Sequence, residues 1–123
     1  MNSADLKNLS VAQLVDRFAA IGIQQYNALI VDDVATYTPL HWQMDAFKRE
    51  LKSRPDDQRR ALLKLYDHPN MQVRLAAAKS TLAVAPERAR RLIEEIAASR
   101  WFPQAGDAGM CLDMLDRGIF VPK

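Results

Sequence analysis

The chain has few of the residues from which catalytic and metal-binding sites are usually built. It contains one cysteine, Cys111, two histidines and four scattered glycines among 123 residues. A single cysteine excludes an internal disulfide and a thiolate-rich metal site, and it agrees with a reducing compartment. Four separated glycines cannot form a glycine-rich phosphate loop. We therefore expect no cofactor, no bound metal and no catalytic residues.

Long apolar runs are also absent. Nowhere do about 18 apolar residues follow one another, and the first ten residues contain no basic run followed by an apolar stretch. These absences predict a cytoplasmic protein without a membrane segment. Hydrophobic residues make up 49% and charged residues 26% of the chain, a balance typical of one soluble globular domain and not of a disordered segment.

The first helix is predicted from its cap. Ser10 and Gln13 form a capping box, which places the start of a helix at Val11. Apolar residues recur at helical spacing as far as about Ile30 and form one stripe. Gly22 lies within that stripe. Because glycine lowers helix stability, Gly22 either marks the close approach of a neighbouring backbone or is simply tolerated.

Two starts are open for the second helix, which ends near Ser53. In one, Thr38 is the cap and Pro39 occupies the first helical position, which suits its missing N–H. In the other, the helix starts at Asp33, and Pro39 falls within its early turns. We favour the earlier start, because Asp32 and Asp33 are good capping residues.

A weak repeat occupies the second half of the chain. The segments PDDQRRALLKLYDH and PERARRLIEEIAAS begin at Pro55 and Pro86, 31 residues apart, and align without a gap. This spacing lies within the range of helical-hairpin repeats, whose units bury their apolar faces against their neighbours. Proline and acidic residues suit a first helical turn. The alignment therefore predicts helices at 55–67 and 86–99.

Two further helices complete the second half. A helix at 71–84 follows the capping residue Asn70, and it has small residues on one face and leucines on another. A helix with two such faces is expected to be sandwiched between neighbours. Asp107 should cap a last helix at 108–117. Gly118 suits the left-handed residue that follows a helix end.

The segment DHPNMQVRLAAAKSTL resembles the turn and second helix of a HEAT repeat. It has an acidic turn residue, a proline, a Val-Arg pair and paired alanines. The resemblance implies that Asp67 and Arg74, together with Val73 and Ala77, make contacts between neighbouring hairpins. The whole chain, including VRLAAAKSTLAVAPERA and DAGMCLDMLDRGIFVP, is similar to a family of small bacterial HEAT-like proteins of unknown function. That family supplies no catalytic residues.

These elements predict an all-α fold, an α-α superhelix of about six helices in which HEAT-like helical hairpins stack. The single domain, 1–123, divides into an N-terminal hairpin (1–53), a HEAT-like hairpin (55–84), a second, partial hairpin (86–117) and a tail (118–123). Ile119 and Phe120 of the tail should fold back onto the core. The N-terminal helices and the tail should cover the open ends of the stack, or a homodimer covers what they leave.

Few side chains could support chemistry, and each has a simpler structural explanation. His41 and Asp45 could share one helix face as a metal-binding pair, but two ligands do not complete a site. His68, beside Pro69, is better placed to serve the turn than acid–base catalysis. Cys111 lies on an apolar helix, where a packed thiol is expected. We therefore expect that the protein is not an enzyme.

Basic residues are concentrated in the middle of the chain. Residues 48–100 contain 13 Lys or Arg and 7 Asp or Glu. Arg59 and Arg60 of one repeat align with Arg90 and Arg91 of the next, so stacking could bring these side chains into one ridge. Such a ridge attracts nucleic acid or an acidic protein, or it is a solvated outer face whose arginines pair with the interspersed carboxylates.

The tryptophans are a further indication of function. Trp42 and Trp101 either pack in the core and anchor a loop, or they belong to a binding surface, where exposed tryptophan is favoured. Our hypothesis is a non-catalytic protein-interaction or adaptor module that binds an unidentified protein partner through Arg59, Arg60, Arg90, Arg91, Trp42 and Trp101. The alternative is a nucleic-acid-binding protein that uses the basic ridge on the helices at 55–67 and 86–99.

Overall fold

The described part of the chain is helical. A computed structural model describes residues 3–123, with side chains from Asp5 onward. Within that range there are six α-helices, one 3₁₀ segment and no strand, which confirms the predicted all-α fold. The elements are α1 (Ser3–Leu6), α2 (Val11–Ile30), α3 (Val34–Ser53), the 3₁₀ segment (Gln58–Asp67), α4 (Met71–Ser80), α5 (Pro86–Ala98) and α6 (Gln104–Asp116). No helix within residues 3–123 has both the length and the apolar character that crossing a bilayer requires.

The helices pack as three consecutive hairpins. Helix α2 lies against α3, the 3₁₀ segment against α4, and α5 against α6. Helix α4 is the central element, because it also contacts α2, α5 and α6. A helix in this position has to bury side chains on more than one face.

Two apolar clusters form the core, and α4 contributes to both. The first cluster lies among α2, α3, the 3₁₀ segment and α4, and the second lies among α4, α5 and α6. Val73 and Ala77 belong to the first cluster, whereas Leu75 and Ala78 belong to the second. The prediction that α4 is sandwiched is therefore confirmed.

The structure settles both alternatives in the first hairpin. The Asp33 carboxylate accepts a hydrogen bond from the amide of Thr36 (3.1 Å), so α3 takes the earlier start and contains Pro39. A Cβ atom on Gly22 would lie 2.8 Å from Cγ2 of Val73. Carbon atoms in contact are usually about 3.5–4.0 Å apart, so Gly22 marks a close approach of α2 and α4.

The predicted start of the third helix is wrong. Pro55 lies outside any helix, and the 3₁₀ segment begins at Gln58. Asp56 and Asp57 have left-handed backbones, with φ of 64° and 50°, and the Asp57 carboxylate accepts a hydrogen bond from the amide of Arg59 (3.3 Å). The two aspartates form a turn that delays the helical segment, and Asp57 is its cap.

Helix α4 begins after Asn70, as predicted, but it ends at Ser80 and does not continue to Val84. The amide of Ala85 donates a hydrogen bond to the carbonyl oxygen of Thr81 (2.7 Å). This bond closes a turn directly after the helix. The chain thereby reverses towards α5 earlier than helical periodicity predicts.

Helix α6 begins at Gln104 and not at residue 108. Asp107 is therefore inside the helix, where its carboxylate pairs with the ammonium group of Lys79 (3.2 Å) and does not cap. The side chain of Gln104 donates a hydrogen bond to Gln72 (3.1 Å), which holds the first turn of α6 against α4. The first turn itself is formed by main-chain bonds, in which the amides of Ala105 and Asp107 donate to the carbonyl oxygens of Trp101 (2.8 Å) and Pro103 (3.1 Å).

The predicted packing of the tail onto the core is only partly confirmed. Gly118 has φ of 71°, as expected of the residue beyond a helix end. Phe120 is half-buried and packs against the second cluster. Ile119, in contrast, is 56% exposed, so the prediction that it folds onto the core is wrong. One apolar side chain of the tail faces inwards, and its neighbour faces solvent.

Candidate functional site

A groove runs along the inner side of the hairpin stack. Helix α4 packs on α2 more closely than on α3, and this leaves a gap between α3 and α4. The gap encloses about 150 Å³. Its lining includes Tyr37, His41, Met44, Asp45 and Lys48 of α3, Gln72, Leu75, Ala76, Lys79 and Ser80 of α4, Asp107 of α6 and Phe120 of the tail. The wall is therefore partly apolar and partly charged.

Three glutamines form a buried chain of hydrogen bonds beside the floor of the groove. Gln72 donates to the side-chain oxygen of Gln25 (3.1 Å) and accepts from the side chain of Gln104 (3.1 Å). All three are buried, and they lie on α2, α4 and α6. These bonds tie together one helix from each hairpin. Within residues 5–123, Oε1 of Gln104 is buried without a hydrogen-bond partner.

The charged groups of the groove are mostly paired. Asp45 contacts Lys48 (3.3 Å) and Arg49 (2.5 Å), and Asp107 contacts Lys79 (3.2 Å). Asp45 is thereby engaged with cations. No group of three or more His, Cys, Asp or Glu residues that could hold a metal ion is found among the described residues.

The aromatic rings near the groove stack along α3. The ring centroid of His41 lies 6.3 Å from that of Tyr37 and 4.9 Å from that of Trp42, which it meets edge-on. Trp42 is 61% exposed, and its ring contacts that of His41, which lines the groove. His41 is thus part of an aromatic row.

Burial raises the pKa of two other groups that could ionise. Desolvation raises the pKa of the Tyr37 hydroxyl, which is half-buried in the groove wall. Burial also raises the pKa of the Cys111 thiol, which packs in the second cluster. A thiol with a raised pKa is a weak nucleophile, because the thiolate is the reactive form. His68 serves its turn as predicted, since its Nδ1 accepts a hydrogen bond from the amide of Asn70 (3.0 Å).

The groove becomes more basic towards the end of α3. Its continuation is lined by Lys48, Arg49, Lys52, Arg59 and Lys79 and by the tail residues from Phe120 to Lys123. The carboxylates lining the two parts of the groove are those of Asp45 and Asp107. Basic side chains therefore outnumber acidic ones here.

Arg59 lies in this basic end and not on an outer ridge. It is buried, and its guanidinium group donates to both carboxylate oxygens of Asp57, at 2.9 Å and 2.6 Å. The Arg59 hydrogen bond lowers the pKa of Asp57 below its ordinary value. Arg59 also donates to the main-chain oxygen of Lys123 (3.4 Å). The prediction of Arg59 as an outer-face contact residue needs correction.

The other predicted arginines are on the outer side, but they do not form an uninterrupted ridge. Arg60 donates a hydrogen bond to the carbonyl oxygen of Val84 (2.6 Å). Arg90 pairs with Asp116 (2.9 Å) and Glu94 (3.4 Å), and the hydrogen bond to Asp116 raises the Arg90 pKa. These contacts engage both guanidinium groups.

Arg91 lines a shallow outer groove between the 3₁₀ segment and α5, together with Arg88 and the carboxylates of Asp67 and Glu95. Trp101 is 52% exposed in the turn between α5 and α6. Trp42 and Trp101 thus lie outside the core, on different elements. The predicted contact residues are not brought to one site, since Arg59 lines the basic end of the inner groove and Arg91 lines the outer groove.

Of the four residues that the HEAT resemblance implies as contacts between hairpins, only two are placed as expected. Val73 and Ala77 are fully buried between helices. Asp67 is exposed, Nε of Arg74 is buried without a hydrogen-bond partner, and no ion pair between the two residues is found in the described part of the chain. The polar needs of the turn are met by Asn70, whose side chain accepts from two amides of α4.

Sequence reasoning missed the basic side of the groove. Lys48 and Lys52 continue the row of Tyr37 and His41 along one face of α3, at helical spacing. That spacing is a sequence pattern from which Lys48 and Lys52 can be assigned to the groove face of α3. Lys79 gives no such signal, because it joins the groove only through the packing of α4 and α6.

The fold and the groove define a small all-helical protein of stacked hairpins with a basic inner groove. The chain belongs to the family described as "Domain of unknown function (DUF2019)", whose model matches residues 12–116. Membership of a family of unknown function agrees with the prediction, whereas the HEAT-like character of the hairpins stays a prediction.

A solved structure supports the same fold. The protein RPA1889 from Rhodopseudomonas palustris CGA009 is 52% identical, with 96% of this chain and 98% of that chain covered and a TM-score of 0.93. No curated protein matches the chain.

Proposed function

We propose that this protein is a non-catalytic protein-interaction module of the bacterial cytoplasm, a short stack of HEAT-like hairpins that binds its partner along the inner groove. The observation that carries this proposal is the groove itself. It is open, its basic side chains outnumber its acidic ones, and residues of the chain's own tail line it.

The side chains around the groove suit binding better than catalysis. Asp45 and Asp107 are engaged in ion pairs, and the Cys111 thiol is packed in the core. Exposed tryptophan and arginine side chains are favoured in protein interfaces; Arg49 lines this groove, and exposed Trp42 contacts the lining residue His41. Both features support a surface that contacts another protein.

Nucleic acid binding is the second candidate, because Arg88 and Arg91 lie together in the outer groove. Neighbouring arginines can neutralise phosphates. The predicted ridge is weaker than its sequence suggests, since Arg59 is buried and Arg90 is paired with Asp116.

The experiment compares two variants that change the charge equally. The groove variant carries Lys48→Glu and Lys52→Glu, and the outer variant carries Arg88→Glu and Arg91→Glu. Each is used as bait in an extract of the native cell, with mass spectrometry of the captured proteins. Circular dichroism of both variants checks that the helices are retained.

We expect the groove variant to lose the captured partner and the outer variant to keep it. Loss in the outer variant alone would contradict the proposal. If that lost material were also released by nuclease, the nucleic acid candidate would take its place.

A further inference from the structure

The tail enters the groove in a defined conformation. After Gly118 turns the chain, the amides of Ile119 and Phe120 both donate to the carbonyl oxygen of Met114, at 2.9 Å and 3.1 Å. This arrangement directs Phe120 into the groove, while Val121 is 62% exposed. One aromatic side chain is therefore inserted, and its flanking side chains stay in solvent.

The walls that receive Phe120 combine apolar and basic groups. Met44 of α3 and Leu75 of α4 line the same part of the groove, and Lys48 and Lys79 line both of its parts. An aromatic ring fits such walls, because its faces pack against aliphatic groups and attract cations. The groove thus suits an aromatic side chain in this position.

The side chains of the tail supply no negative charge to the cations around it, of which Lys48 and Arg49 are already paired with Asp45. Lys52, Arg49 and Lys48 of α3 line the tail's course, and the segment IFVPK contains no acidic residue. Opposite charges across an interface favour association and set its specificity. A segment that carried acidic residues beside its aromatic side chain would match this groove better than the tail does.

We propose that residues 119–123 hold the place of the partner, and that the partner inserts an acidic segment whose aromatic side chain replaces Phe120. This inference rests on the proposed function. The tail is then an internal competitor. If it fills the groove about nine-tenths of the time, it lowers the apparent affinity for the partner about tenfold.

A protein segment fits these observations better than a nucleic acid. The apolar wall of Met44 and Leu75 accepts an aromatic side chain, whereas the phosphate contacts that dominate nucleic-acid affinity make no use of such a wall. A short single-stranded DNA oligonucleotide is therefore included in the test as a competing probe.

The test uses the full chain and labelled peptides of defined chemistry. The probe peptide has one phenylalanine flanked by glutamates, and two control peptides replace either the phenylalanine by alanine or the glutamates by lysines. Fluorescence anisotropy measures their binding to the wild type, to Phe120→Ala and to the matched control Val121→Ala. Thermal melts verify that each variant is folded.

We expect Phe120→Ala to bind the probe about tenfold more tightly than the wild type, and Val121→Ala to bind it as the wild type does. Both control peptides should bind weakly to every variant. The proposal is overturned if Phe120→Ala gains no affinity, if the lysine peptide binds equally well, or if the oligonucleotide binds in place of the probe.

A second measurement needs no substitution in the tail. Fluorine NMR of the chain labelled with 4-fluorophenylalanine reports the environment of Phe120 directly, with Phe18 as a buried reference. Saturating probe should shift the Phe120 signal to its solvent-exposed value and leave that of Phe18 in place. A probe that binds without moving Phe120 would refute the tail's role, yet groove-dependent capture of a partner would still stand.

Discussion

Gly22 of α2 and Val73 of α4 approach so closely that a Cβ atom on the glycine would lie 2.8 Å from Cγ2 of the valine. This contact brings α4 onto α2. Because α4 is drawn to that side, a gap remains between α3 and α4, and the gap is the inner groove. A single glycine thus connects helix packing to the candidate site.

Gly22→Ala is expected to destabilise the fold, although alanine is the better helix former. The new methyl group also meets the Val73 Cα at 3.2 Å, so a backbone must move. Overpacking of this kind costs about 1–3 kcal/mol. Gly109→Ala in α6 is the matched control, because nothing lies within 4 Å of its Cβ position, and it should stabilise by about 0.5–1 kcal/mol. Urea unfolding measures both; equal effects would contradict the close approach.

Among the three bonded glutamines, Gln72 in the middle should contribute most to the free energy of unfolding. Gln72→Leu leaves polar atoms of Gln25 and Gln104 buried without partners, and we expect a loss of about 2–4 kcal/mol. Gln104→Leu leaves one side-chain atom of Gln72 without a partner and removes an oxygen that is already unpaired. We therefore expect it to lower the free energy of unfolding by only about 1 kcal/mol. The order of the two unfolding free energies is the result to check, and a reversed order would be incompatible with this hydrogen-bond chain.

Removal of the Asp57 carboxylate should destabilise the protein and change how its stability depends on pH. Asp57→Asn weakens a charged hydrogen bond to buried Arg59, at a cost of about 1.5–3 kcal/mol at neutral pH. Because that bond lowers the Asp57 pKa, its contribution is present above the unfolded value of about 3.9 and disappears as the pH falls through the lowered pKa. The difference from the wild type should therefore shrink on acidification. Asp56→Asn is the control; it is exposed and also left-handed.

The Cys111 thiol should be protected in the native state. Since burial raises its pKa, little thiolate is present at pH values near neutrality, and the reagent must also reach the second cluster. Labelling with iodoacetamide should be slow in buffer and fast in urea. Rapid labelling of the folded chain would reveal an accessible thiol and would reopen the question of an enzyme.

Local capping was predictable from the sequence, because it depends on residues three or four positions apart. The starts of α2 and α3 were found in this way from Ser10 and Asp33. The start at Pro55 was not, although it resembles Pro86, because the Asp57–Arg59 contact forms a turn that has no counterpart in the second repeat unit. The two repeat units therefore have similar sequences but different local structures where they begin.

The candidate site was largely hidden from the sequence. Leu62 and Ile93, 31 residues apart, share their burial as the repeat predicts, since burial follows helical period. Arg59 and Arg90 do not share their surroundings, because their partners are different carboxylates. The groove also requires that Lys48 of the first hairpin and Lys79 of the second line the same gap. Periodicity within a single helix does not predict how two hairpins pack.

Photo-crosslinking in the native cell locates the partner-binding surface without any assumption about the partner. A benzophenone amino acid replaces His41 in the inner groove or Glu95 in the outer groove, both of which are exposed positions. We expect a discrete crosslinked protein adduct from position 41 and none from position 95. An adduct from position 95 alone would contradict the assignment of the inner groove as the partner-binding surface.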